Sequence, residues 1–326
     1  MNRQHRRRLA NGLLRPLSEN ARVFDLQGHR GARGLWPENT LAGFAHTIEL
    51  GVSTLELDCG VTRDGVVVVA HDPHLNPDHT RDSHGRFLEA AGPPIWSMTY
   101  AELQSYDVGR IREGSEYAAQ FPQQQAIDGE RIPSLADVLA LVRDRGRGRV
   151  RVNVEVKIFP DQPQLTMAPE PFAQALQRVV DETATAALTI IQSFDWRVLN
   201  AVHRLMPDLA TAALTDQQPG DDTVQIGSEP PSPWLGGLDP SRYGYSVPRL
   251  VQAIGAKIWA PEYRDLDAER VAAAHALGLG VVPWTVNGPA DMERLLALKV
   301  DGMITDRPDL LRRLLEQKGM AVPPLP

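Results

Sequence analysis

Histidines, arginine and carboxylates gather early in the chain in a pattern that no hydrophobic core requires: His29-Arg30, Glu38-Asn39, Glu56 with Asp58, and His71-Asp72. An ionised side chain taken out of water costs several kcal/mol unless it is paired or bound to metal. Their concentration at the ends of apolar runs therefore points to a site that handles a charged substrate. Phosphate with a divalent cation is the first chemistry to fit.

Spacing assigns parts of that chemistry. Glu56 and Asp58 stand two apart on a strand-like run over 54–61, so they share a face while Leu55 and Leu57 occupy the other. Two inward carboxylates at that spacing can hold one hard cation through oxygen. Over 149–157, Val152, Val154 and Val156 alternate with Asn153, Glu155 and Lys157. Glu155 completes a three-carboxylate metal site, and Lys157 supplies a fixed positive charge for an anionic oxygen. A salt-bridged barrel interior would use the same pattern. His29 and His71 each end a β-run and suit a proton-transfer pair, one as base toward the nucleophile and the other protonating the leaving alkoxide. Arg30 joins Lys157 in neutralising the phosphoryl oxygens. His46 and His275 fall in helical stretches, and His74, His79 and His84 in a long loop; all five are expected at the surface. Cys59 follows Asp58 on the opposite face and reads as a packing residue.

Eight β-like runs, over 24–29, 54–61, 149–157, 188–193, 209–214, 256–260, 280–286 and 302–305, alternate with helical stretches. The first helix, over 40–50, follows Asn39 as its expected N-cap; the second, over 134–143, carries Leu135, Val138, Leu139 and Val142 at helical spacing. Strand–helix alternation on this scale predicts a TIM (β/α)8 barrel. An open doubly wound sheet is the alternative, but no glycine-rich dinucleotide turn follows the first strand. The barrel domain is expected over 24–318, with an insertion over about 66–132 after the second strand and a tail over 319–326. The Pro/Gly-rich stretch over 216–245 reads as a surface loop or as a lid.

Composition narrows the partners. Of 326 residues 42% are hydrophobic, enough for a large core, and the net charge of −7 with no basic stripe argues against a general nucleic-acid binder. A lone cysteine permits no internal disulfide. No run approaches the ~20 apolar residues of a spanning helix. The basic tail over 1–23 lacks the apolar core of a secretory signal; it reads as a solvated tail, as a weak lipid contact through Arg6, Arg7, Arg8, Leu13 and Leu14, or as an organellar presequence. A cytoplasmic location is the expectation, and oligomeric state cannot be read.

The runs HRGARGLWPENTLAGF and LELDCGVTRDGVVVVAHDPHL, followed by RIPSLADVL, NVEVK, IIQSF, VVPWTVN and DGMITDRP, closely resemble the glycerophosphodiester phosphodiesterases, in family order and over nearly the whole chain. The resemblance implies a TIM-barrel hydrolase that cleaves glycerophosphodiesters to glycerol 3-phosphate and an alcohol. It implies one divalent metal, Ca²⁺ or Mg²⁺ from the oxygen ligands, with Mn²⁺ also admissible. Carried onto matching positions, His29 and His71 become the acid–base pair, Glu56, Asp58 and Glu155 the metal ligands, and Arg30 and Lys157 the phosphate contacts. Glu38 becomes a supporting carboxylate and Trp284 a wall for the glycerol moiety. The family pattern also implies attack by the substrate's own glycerol hydroxyl, through a cyclic phosphate. Two other readings are a lysophospholipase D, with lips over 231–238 including Trp234 and Leu235, and a catalytically silent barrel that binds phosphorylated metabolites. One departure is an extended Gln-rich segment after Asp107-Val108-Gly109-Arg110, running to Gln125, which could reshape the mouth of the site.

Overall fold

The computed structural model describes residues 23–325, so the basic tail lies outside the described residues apart from Val23. Eight parallel strands form the barrel: β1 (Asp25–Gly28), β2 (Thr54–Val61), β4 (Arg151–Val156), β5 (Thr189–Ser193), β6 (Ala210–Thr215), β7 (Ile258–Pro261), β8 (Gly280–Val281) and β9 (Gly302–Thr305). β9 pairs with β1, and backbone hydrogen bonds from Asp301 to Val281 and from Ile304 to Pro283, each 2.9 Å, bring the two ends of the sheet together. The expected (β/α)8 barrel is therefore the observed fold. β8 is much shorter than the run over 280–286 predicted, because Pro283 has no N–H to give the ladder.

The layering helices begin with α1 (Leu41–Leu50), whose N-cap is Thr40 rather than Asn39: the Thr40 hydroxyl accepts from the Gly43 N–H. Asn39 instead turns its amide inward to Asp58. After β2 the chain turns back as β3 (Val67–Val69), antiparallel to β2, then runs through two short helices, α2 (Tyr100–Leu103) and α3 (Glu116–Gln120). This segment packs a small core of its own around Val68, Leu75, Ile95, Leu103 and Ile132. The barrel resumes with α4 (Leu135–Arg145), and α5 (Pro169–Thr183), α6 (Trp196–Leu205), α7 (Val247–Ala253), α8 (Ala268–Ala276), α9 (Pro289–Ala297) and α10 (Pro308–Gln317) follow in turn.

Alternation works as the sequence implies. Leu55, Leu57, Cys59, Val152, Val154 and Val156 all bury against the helices in the main core. The opposite faces of β1, β2 and β4 put polar side chains inside the barrel, beside a small apolar cluster of Ile190, Ala212, Leu214 and Ala260. Asp25 at the N-terminal end accepts from Gln27, Ser53 and Thr54 and pairs with Arg151 at 2.8 Å. The Asn153 amide donates to the side-chain oxygens of Gln27 (3.0 Å) and Gln192 (2.9 Å), and Gln192 donates in turn to Glu56 (2.8 Å). A hydrogen-bonded column thus runs from the closed end of the barrel to its mouth. Removing a partner from such a column strands buried acceptors at about 1–3 kcal/mol apiece. Asn153→Ala is expected to lower the unfolding free energy by about 2–4 kcal/mol, read from denaturant melts; a loss near zero would show that the column is not coupled to stability.

Candidate active site

Glu56, Asp58 and Glu155 meet at the C-terminal end of the barrel because β2 and β4 pair in a register that sets Asp58 opposite Glu155. Each of the three buried acids offers an oxygen within 4.8 Å of the others, a group that could hold a metal ion. Glu56 accepts from the Arg30 N–H and from Gln192, and Asp58 accepts from Asn39. Lys157 places its ammonium 2.6 Å from Glu155 and 3.1 Å from Asp58, and Arg30 Nε lies 3.0 Å from Asp58.

Burial pushes the carboxyls up, and their neighbours decide the outcome. Lys157 and Arg30 override burial at Asp58 and hold it well below the usual range. Glu56 is driven well above it by burial and by the charges of Asp58 and Glu155. Glu155 is pushed up to about 7, because burial and Asp58 outweigh Lys157.

Both histidines face the same cavity and use the same device. His29 Nδ1 lies 2.5 Å from Asp306 Oδ1, and His71 Nδ1 lies 2.8 Å from Asp72 Oδ1. Each aspartate fixes a tautomer and leaves Nε2 free of a hydrogen bond; at His29 that atom is 3.9 Å from Glu56. Burial lowers the His29 pKa to about 4, with Arg33 and Arg30 assisting and Asp306 opposing. His71 is also lowered to about 4, by burial together with Arg30 and Lys157, although a third of its side chain stays open to the mouth. Glu38 accepts from Arg30 at 3.0 Å and stays ionised beside it.

The cavity has a volume of about 630 Å³ and opens over His29, Arg30, Glu56, His71, Glu155 and Lys157. Phe194 stands edge-on to Trp284 on its far wall, with ring centres 5.3 Å apart at 89°. The stretch over 216–245 supplies Asp216, Asp221 and Trp234 to that wall. Leu235, expected at a lip, is instead buried in the main core.

The sequence profile of the glycerophosphoryl diester phosphodiesterase family matches residues 29–310. The chain belongs to this family. A glycerophosphodiester phosphodiesterase from Caldanaerobacter subterraneus subsp. tengcongensis is 30% identical over 292 residues, 89% of this chain and 97% of that protein. One from Bacillus subtilis is 28% identical over 88% of this chain and 84% of its own length. Among solved structures, a Silicibacter pomeroyi DSS-3 protein described as a glycerophosphoryl diester phosphodiesterase is 36% identical, with a TM-score of 0.82 over 96% of this chain and 99% of that one. An Oleispira antarctica phosphodiesterase solved with the product sn-glycerol 3-phosphate shares the fold at 22% identity, with a TM-score of 0.64 over 89% and 96%. The chain is thus an enzyme of the glycerophosphodiester phosphodiesterase family.

The acid–base, metal, phosphate and glycerol-wall candidates named from the sequence lie together at the barrel mouth: His29, Arg30, Glu38, Glu56, His71, Glu155, Lys157 and Trp284 at the cavity or its rim, with Asp58 against Lys157. Sequence reasoning passed over Asp306, Gln192, Phe194 and Tyr117. Asp306 immediately follows β9, where strand-end position alone could have flagged it. His79, expected at the surface, is half-buried beside Tyr117, with ring centres 5.9 Å apart. The charge on Asp306 is what keeps the His29 pKa from falling further. Asp306→Asn is therefore expected to move the His29 titration midpoint below about 4, followed by NMR of the imidazole; an unchanged or raised midpoint would contradict the pairing.

Proposed function

We propose that the enzyme hydrolyses glycerophosphodiesters to sn-glycerol 3-phosphate and an alcohol, with His29 and His71 moving protons and Glu56, Asp58 and Glu155 holding one divalent cation. The observation that carries this reading is an oxygen-only carboxylate triad flanked by two aspartate-held imidazoles above a single cavity. The product seen in the Oleispira antarctica relative of the same fold supports the choice of product.

The triad fits a hard cation. Its donors are all oxygen, which suits Ca²⁺ or Mg²⁺ and accommodates Mn²⁺, and burial with the neighbouring carboxylates raises the pKa of two of its acids. When bound, the cation would draw negative charge from the phosphoryl oxygens. The chain's own groups do the rest. Arg30 and Lys157, both fixed by buried acids, face the remaining phosphoryl charge. Neutral at pH 7, either imidazole can accept the proton of the attacking hydroxyl at Nε2. The other must deliver a proton to the leaving alkoxide, and the anionic substrate beside it raises its affinity for that proton. Glu38 keeps Arg30 in place, and Trp284 with Phe194 offers an apolar wall to the glycerol carbons.

An acyl-accepting lysophospholipase D needs an apolar channel, and only Trp234 of the expected lip pair lines the cavity. Release of sn-glycerol 3-phosphate from a panel of glycerophosphodiesters and lysophospholipids is expected on the former and is expected to stop with chelator. His29→Ala should lower kcat by roughly 10²- to 10⁴-fold. Chelator-insensitive turnover, or full activity in that variant, would sink the mechanism.

Cation binding must also expel protons. The folded carboxyl of Glu155 titrates at about 7, so below that pH the cation competes with a proton and above it does not. Calorimetric titration with Ca²⁺ or Mg²⁺ is expected to show weaker binding and greater net proton release at pH 6 than at pH 8. A pH-independent affinity would count against the triad as the metal site.

A further inference from the structure

Tyr117 reaches the centre from outside the barrel. It sits on α3, in the segment between β3 and α4, and its phenol donates to Glu38 Oε2 while lying 3.4 Å from Arg33 Nη1. The other Glu38 oxygen holds Arg30 (3.0 Å), and the Nε of Arg33 holds Asp306 Oδ1 (2.7 Å), the atom that binds His29. We propose that Tyr117 is a positioning residue for the reaction: its hydroxyl joins the Glu38–Arg30 pair to the Arg33–Asp306–His29 chain and so fixes the direction in which Arg30 faces the phosphate. This rests on the roles given above to Arg30 and His29.

The loop it steadies needs external support. Arg30 (φ 50°), Ala32 (φ 60°) and Asn39 (φ 54°) all adopt left-handed backbone, which L-residues hold only where their surroundings over-determine it. Neighbours of Tyr117 supply that. Phe121 lies under the Arg33 guanidinium at 4.7 Å, Gln124 donates to the Arg33 carbonyl at 2.7 Å, and the Gln125 N–H donates to the Leu35 carbonyl at 2.8 Å. These contacts come from the Gln-rich segment that departs from the family pattern. The ring of Tyr117 has its own packing against Phe121 (5.0 Å, 74°), so the hydroxyl can be removed while the ring stays. Without the hydroxyl, Glu38 Oε2 loses its donor and is free to swing onto Arg30, turning the guanidinium away from the substrate.

The test uses the full chain with Mg²⁺ or Ca²⁺, sn-glycero-3-phosphocholine as substrate and sn-glycerol 3-phosphate as inhibitor. Tyr117→Phe is expected to lower kcat/KM by about tenfold and to raise KM and the inhibition constant together, at an unchanged thermal midpoint. In a Glu38→Gln background the same change should cost nothing further, because the hydroxyl acts through Glu38. Ser115→Ala, which removes the N-cap of α3 but keeps the hydroxyl and the Phe121–Arg33 contact, should leave the inhibition constant near the parent value. The proposal fails if Tyr117→Phe matches the parent, if its cost persists undiminished beside Glu38→Gln, if it lowers the thermal midpoint along with activity, or if Ser115→Ala reproduces its effect. A parent inactive on the whole substrate panel would overturn the functional reading; an active parent with an equally active Tyr117→Phe overturns only the positioning role.

Discussion

Charge confined in a barrel interior is the constraint on which the rest of this structure depends. Around the mouth, the acids Glu38, Glu56, Asp58, Asp72, Glu155 and Asp306 outnumber the fixed cations Arg30, Arg33 and Lys157. Fully ionised, that set carries an excess of negative charge. A low-dielectric interior does not tolerate such an excess, so it must be relieved by protons or by a ligand. Of these acids Glu56 and Glu155 are the two whose pKa values rise, and protons there or one divalent cation would relieve the excess. The site is thus electrostatically incomplete by itself, and the incompleteness lies where the carboxylate oxygens converge.

Burial, not the excess of acids, lowers both histidines below their ordinary pKa. Desolvation is the largest influence on both, and the arginines and lysine that stabilise the carboxylates count against a second positive charge. Asp306 and Asp72 orient the rings without fully protonating them. The column from Asp25 through Gln27, Asn153 and Gln192 to Glu56 then ties this poised end to the closed end of the barrel. Barrel folds generally place stability at the N-terminal face and chemistry at the C-terminal face; here one run of side-chain hydrogen bonds connects the two.

Most of the fold and much of the site could be read in the sequence because they rest on period-two alternation. Glu56 with Asp58, and Glu155 with Lys157, share faces by arithmetic, and strand register then brings the two pairs together. What escaped depends on a different kind of information. Asn39 looks like a helix cap in one dimension, and only the left-handed turn at that residue shows that Thr40 caps while Asn39 serves Asp58. Asp306 is 277 residues from His29, and their contact exists only because β9 closes the barrel against β1. Leu235 and Trp234 are neighbours in sequence, yet one enters the core and the other the cavity wall, which a short one-turn element decides by rotation and not by hydropathy.

Tyr117 is the extreme case of that difference. Nothing in the type or spacing of a tyrosine in a Gln-rich stretch marks it as a partner of Glu38 and Arg33. Its place follows from how the segment between β3 and α4 folds back on the loop after β1, a contact between pieces separated by about eighty residues. Because His29 and Arg30 are adjacent in the chain, the side-chain links Arg30–Glu38–Tyr117–Arg33–Asp306–His29 form a closed circuit. A circuit holds geometry better than an open chain, since displacing any one member strains hydrogen bonds on both sides. The barrel supplies the charges and their register; the segment between β3 and α4 closes the circuit around Arg30, whose backbone is left-handed.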